Sequence, residues 1–239
     1  MKTDALTPRQ RLCLIRETET AVFLVHQGLV ALNETGAGND RYHLPLKLLS
    51  GGFERLLKLV ICLGRLELNG ALPDSSSFTR GKQGHDLDRL LQQVLRICRE
   101  SGDAEDREAT RSDADFLESN EDLKRVVRLL SDFGKAGRYF NLDLLLTGEL
   151  CGEDPENLFD CFYDEMLRRR PDWLKKVEAQ ELGAVYDELN RDMIALLQRF
   201  ARALCRMFTL GPLGELGRSL TGQIQQFLFL ADDELGRLE

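Results

Sequence analysis

Apolar residues recur three and four positions apart along nearly the whole chain, and no stretch shows the strict alternation of a half-buried strand between hairpin turns. That regularity commits the sequence to helices, because each stripe lies along one side of a helix and has to be covered by another. The expected class is all-α. The first stripe, Ile15, Thr18, Val22, Val25, Leu29 and Leu32, draws a seam of roughly six turns, and the glycine-rich run from Asn33 to Asn39 stops it. A second begins near Pro45 and continues through Leu46, Leu49, Phe53, Leu56, Val60 and Leu63. Gly51 and Gly52 inside it each cost about 1 kcal/mol relative to alanine, so they are read as points where another helix comes close. The first two helices form an antiparallel hairpin on this reading.

Residues Leu72 to Gly84, with three consecutive serines, a proline and glycines, read as a loop. A third helix follows from His85, with Leu87, Leu90, Leu91, Val94, Leu95 and Cys98 on one face. Ser101 to Glu118 is polar and mostly acidic and reads as a mobile excursion. Ser119, with Asp122 three residues on, reads as a capping box that opens a fourth helix along Leu123, Val126, Val127, Leu130 and Phe133. The run Arg138 to Leu146 either extends that helix past Gly134 and Gly137 or bends away from it.

A short helix over Leu158 to Arg169 is expected to end before Pro171. The longest seam comes next, through Leu182, Val185, Leu189, Met193, Leu196, Phe200, Leu204 and Phe208, until Gly211 and Pro212 break it. A last stripe, Leu213, Leu216, Leu220, Ile224 and Phe227, is interrupted by glycines. The division expected is a helical bundle over residues 1–148 and a helical C-terminal extension over 149–239, packing on the bundle or mediating oligomerisation.

Composition narrows the setting. Hydrophobic residues at 43% beside 30% charged residues suit a folded core and argue against disorder. No run approaches the ~18 apolar residues of a membrane span, and the first ten residues lack the apolar centre of a signal peptide, so a cytoplasmic location without membrane contact is expected. Six cysteines without a C-x-x-C pair are read as reduced core residues. A net charge of −8 means that any contact with RNA has to be local.

Common nucleotide-binding and hydrolase motifs are missing from the sequence, three histidines make no metal-ligand pattern, and no metal or cofactor is expected. The residues left to carry chemistry are few. Glu54 and Lys58 stand four apart, the order that favours a helical ion pair. His85 and Asp86 stand at the start of the third helix, where a carboxylate suits the dipole, and Arg80 precedes His85 by a spacing, R-x4-H, that can bring guanidinium and imidazole to one phosphate. Arg138 beside Tyr139 can bind an anion or stack on a base, or else pair with a carboxylate such as Glu54. Lys124, Arg125 and Arg128, and Arg168 to Arg170, read by default as solvated basic faces.

Taken in order, a helix, the segment LSGGFERLLK (Leu49 to Lys58), a loop into GHDL (Gly84 to Leu87), another helix and RYF (Arg138 to Phe140) resemble the HEPN superfamily over about residues 10–146. The resemblance implies an up-and-down helical bundle, often dimeric, in a superfamily common in bacterial toxin–antitoxin and antiviral defence systems. Many members are metal-independent ribonucleases in which an arginine holds the scissile phosphate and a histidine transfers protons. It assigns catalysis to Arg80, His85 and Arg138, with Glu54, Lys58, Asp86 and Tyr139 binding or supporting, and RNA, a second copy and a cognate antitoxin or defence protein as partners. In those ribonucleases the Arg/His motif stands near the end of the bundle; here no histidine follows Arg138, and Arg80 to His85 lies between the second and third helices. The alternative is a catalytically silent helical interaction module, its long seam from Leu182 to Phe208 binding a copy of itself or a partner. A ligand-binding regulator that uses the bundle interior is a third reading.

Overall fold

Each long apolar stripe becomes a helix in the computed structural model, which describes residues 6–36, 41–79, 84–101, 108–149, 153–179 and 181–238. The fold is all-α, and among the described residues there is no strand. α1 (Pro8–Asn33) opens on a capping box between Thr7 and Gln10, with Pro8 in the first turn. Thr18 fits its buried stripe because its hydroxyl donates to the Leu14 carbonyl. α2 (His43–Asn69) returns antiparallel and ends on Gly70, whose φ of 73° closes the helix. The hairpin is tight at two glycines: a methyl on Gly28 would lie 2.7 Å from Leu49 Cγ, and one on Gly52 would lie 2.8 Å from the Val25 backbone nitrogen. Gly51 faces open space, so only Gly52 of that pair serves the approach.

Inside the expected loop a single turn, α3 (Ser76–Thr79), precedes α4 (Leu87–Ser101). α4 runs parallel to α2, since Glu54 meets His85 at one end and Gly64 meets Ile97 towards the other. The acidic stretch corrects the sequence reading, because most of it is α5 (Glu108–Ser119); residues 102–107 lie outside the described set. Asp113, Phe116 and Leu117 are buried there, a stripe too narrow to stand out among acidic neighbours. α6 (Glu121–Lys135) is capped by Asn120, whose side chain accepts from Leu123, whereas the Ser119 hydroxyl donates back to the Asp115 carbonyl. The cap is one residue later than the pattern suggested.

The chain then bends: Gly137–Tyr139 forms a 3₁₀ turn and α7 (Phe140–Thr147) leaves the line of α6. α8 (Pro155–Arg168) is followed by α9 (Pro171–Glu178), a helix the sequence reading missed, anchored by buried Trp173 and by the Trp173 and Lys176 side chains that both bind Glu188. α10 (Leu182–Thr209) packs against α1, α2, α5, α6 and α12, and its Phe200 stacks on Phe53 with ring centres 4.6 Å apart. Its seam is therefore consumed inside the fold; Val185, Leu189, Met193, Phe200, Leu204 and Phe208 are buried, and only Leu182 at the end is exposed. Docking of that seam on a partner is thereby corrected. α11 (Gly214–Arg218) and α12 (Thr221–Leu228) add Ile224 and Phe227 to the core that begins in α1.

Cys98 and Cys205 are buried as expected, but Cys13 and Cys161 are exposed, because each falls on the polar side of its helix; Cys151 lies outside the described residues. No helix among the described residues is long and apolar enough to cross a membrane.

Candidate functional site

Glu54 stands on the inner side of α2 with its side chain 11% exposed, and a carboxylate so placed needs partners. Lys58, one turn on, donates to Oε1 at 2.6 Å, and His85 Nδ1 lies 2.8 Å from Oε2. A terminal nitrogen of Arg138 stands 3.9 Å from the same Oε2, within reach electrostatically but beyond hydrogen-bond distance. Burial pushes the Glu54 carboxyl up, yet the hydrogen bonds and charges of Lys58 and His85 outweigh it and hold the group below the usual glutamate range. An ionised carboxylate only accepts, so the hydrogen in that contact belongs to His85 Nδ1. In the neutral imidazole the lone pair then sits on Nε2. The imidazole is 43% exposed.

The sequence brings these groups together through close packing between α2 and α6. A methyl on Gly134 would lie 2.7 Å from Ser50 Oγ and 3.5 Å from the His85 carbonyl, so glycine at this turn lets α6 carry Arg138 up to Glu54. Asp86 serves the scaffold: its carboxylate accepts from the Arg89 amide at 3.0 Å and from the Ser131 hydroxyl and Lys135 ammonium at 3.4 Å each. Ser131 in turn accepts the Leu87 amide at 3.1 Å, so α6 side chains cap α4. Burial raises Asp86, but the Arg89 amide and Lys135 leave its carboxyl lowered overall.

Arg138 also borders an open cleft of ≈ 220 Å³ with His43, Phe133, Tyr139, Phe140 and Asp154. Its Nε is buried without a partner, and so is Ser50 Oγ. Tyr139 is 65% exposed on that rim. Of the seven residues the sequence singled out, Glu54, Lys58, His85 and Arg138 converge, Asp86 braces them, Tyr139 lies on the cleft, and Arg80 lies outside the described residues. Ser50, Ser131 and Lys135 were missed, although Ser50, Glu54 and Lys58 step by four along α2 and Ser131, Lys135 and Arg138 by four and three from α6 onward.

Residues of the other basic faces form ion pairs: Arg125 meets Glu165 at 2.6 Å, Arg169 meets Asp122 at 2.6 Å, and Arg170 meets Asp192 at 3.1 Å. Among the described residues no three histidine, cysteine or acidic side chains converge as metal ligands. No family model matches the chain, and comparison with curated proteins and with solved structures found no similar protein.

Proposed function

We propose that the Glu54, His85 and Arg138 cluster cleaves RNA without a metal, as the HEPN resemblance implies, in a bacterial defence or toxin–antitoxin setting. One observation carries the reading. An imidazole oriented through Nδ1 by an ionised carboxylate stands half-exposed beside a guanidinium that has unspent donors. His85 Nε2 takes the proton of a ribose 2′-hydroxyl, and the 2′-oxygen bonds to phosphorus as the bond to the 5′-oxygen breaks. The departing 5′-oxygen receives the proton back from the imidazolium. Glu54 stabilises that imidazolium, and Arg138 with Lys58 holds the non-bridging oxygens as charge builds on them. The products are a 2′,3′-cyclic phosphate and a 5′-hydroxyl.

Incubation of the full chain with total RNA in EDTA tests this. The expected outcome is cleavage to cyclic-phosphate ends that falls by at least about 100-fold in His85→Ala. Intact RNA at micromolar protein, or equal cleavage by His85→Ala, overturns it.

A second reading keeps the cluster structural and makes the chain a silent interaction module, and α7 favours it. Leu142, Leu145 and Leu146 stand exposed there beside Tyr139. A second copy of the chain covers that face in this reading. It requires intact RNA in the same incubation, together with a dimer by light scattering that Leu145→Asp dissociates.

A further inference from the structure

Beyond the cluster, α2 and α4 continue in parallel alongside a polar groove. Between α2, α3 and α4 a groove of ≈ 480 Å³ is lined by Arg65, Arg89 and Arg96, by Gln92 and Gln93, and by the serines at the start of α3. On α4 the positions 89, 92, 93 and 96 recur at helical spacing, and His85 stands two residues before that helix begins. At about 1.5 Å of rise per residue, Arg96 stands roughly 10 Å along α4 from Arg89. α2 runs parallel and supplies Lys58 near the His85 end and Arg65 at the far end. Lys58 also lies over the Phe78 ring of α3, 5.7 Å from its centre, which places α3, whose serines line the groove, beside the Glu54 cluster.

The chemistry of this lining is unlike the rest of the surface. The chain carries 40 acidic residues and a net charge of −8, yet among the described residues the groove presents three guanidiniums and four neutral hydrogen-bonding side chains and no carboxylate. Arg65 spends one terminal nitrogen on Glu100 at 2.6 Å. Arg89, Gln92 and Arg96 are exposed. Forked guanidiniums match phosphate oxygens, and glutamine and serine side chains suit phosphate and ribose hydroxyls. An acidic peptide would answer the charge, but among the described residues the lining holds no apolar side chain to seat a peptide's own.

We infer that this groove is the track for the sugar–phosphate backbone of an RNA strand on its way to His85. The inference rests on the RNA-directed reading of the cluster, and it adds where the strand lies and which residues hold it. Arg96 and Arg89 contact phosphates, and Gln92 and Gln93 contact phosphate or sugar, contacts that position the strand.

Binding separates the groove from the chemistry. Full-length protein carrying His85→Ala is titrated against a short fluorescent oligouridylate, by anisotropy over a series of salt concentrations. Adding Arg96→Gln should weaken binding about 5- to 10-fold at low salt and reduce the slope of log K against log salt by about 0.7, as loss of one single-strand phosphate contact requires. Arg96→Lys should restore most of the slope. Unchanged affinity and slope in Arg96→Gln and in Arg89→Gln overturn the groove, and so does polyglutamate that competes as well as RNA. RNA that binds with this salt dependence but is never cut by the wild-type chain sinks the ribonuclease reading and leaves the groove standing. RNA cut at the wild-type rate by Arg89→Gln with Arg96→Gln does the reverse.

Discussion

Two polar knots tie helices together in this bundle, and they differ in how completely they are satisfied. Asn190 of α10 is buried; its Nδ2 donates to the Thr35 carbonyl at 2.7 Å, and its Oδ1 accepts the Tyr163 hydroxyl from α8. Thr35 sends its own hydroxyl to the Leu32 carbonyl at 2.7 Å. None of these three residues has a buried side-chain polar atom left without a partner. Around Glu54, by contrast, Arg138 Nε and Ser50 Oγ have none, and the His85 imidazole faces solvent on one side. Both knots hold three segments of chain in register, but only the second has hydrogen-bonding capacity to offer. A closed polar network fixes geometry, whereas an open one pays a desolvation cost that a bound anion can offset.

The largest effect should come from the closed knot. Asn190→Ala removes the hydrogen bonds with Tyr163 and with the Thr35 carbonyl and hydroxyl, and leaves a phenol and a carbonyl buried without partners, so it should cost about 3 kcal/mol. The urea midpoint should fall with the slope of the transition unchanged. A loss below about 1 kcal/mol would mean that water replaces the amide and that the knot is not closed.

The two knots were also unequally legible in the sequence. Glu54 and Lys58 announced themselves by spacing on a strongly periodic helix, and the pairing of Arg138 with Glu54, weighed from sequence as one of two uses, corresponds to the 3.9 Å approach. Asn190 gave no signal. It sits directly after Leu189 in an apolar stripe, and its carbonyl partner is 155 residues away, a separation that periodicity does not address. α5 and α9 were lost for a related reason. Each buries a narrow stripe, Asp113 with Phe116 and Leu117 in one and Trp173 in the other, and acidic or basic neighbours dominate the local average. The helix class was recoverable because repetition is local; the contacts that close or open a knot are not.

The open knot should respond to acid where the closed one does not. Its Glu54 carboxyl lies below the usual range in the folded chain, so the stability it contributes is present above its unfolded value of about 4.3 and is lost as pH falls through the lower folded value. Asp86 shifts in the same direction. Glu54→Gln should therefore cost about 1 kcal/mol at neutral pH, and the gap to wild type should close as acid protonates the wild-type carboxyl. Denaturation series at pH 7 and pH 3 read that difference directly. A gap that stays constant between them would place the contribution of Glu54 in packing and remove the charged cluster as its source.

The smallest effect is the most discriminating. Ser50 Oγ is buried without a partner, 2.7 Å from where a methyl on Gly134 would stand, so its removal breaks no bond inside the protein. Ser50→Ala should change stability by no more than about 0.5 kcal/mol, or raise it, because an unpaired buried hydroxyl is already a cost. In the closed knot, Thr35→Val has a bond to lose, the one to the Leu32 carbonyl, and should cost about 1 kcal/mol. Thermal midpoints of the two variants compare buried hydroxyls that differ chiefly in whether they are used. Equal losses would show that Ser50 has a partner after all, most simply a bound water, and the capacity attributed to this side of the Glu54 cluster would already be filled.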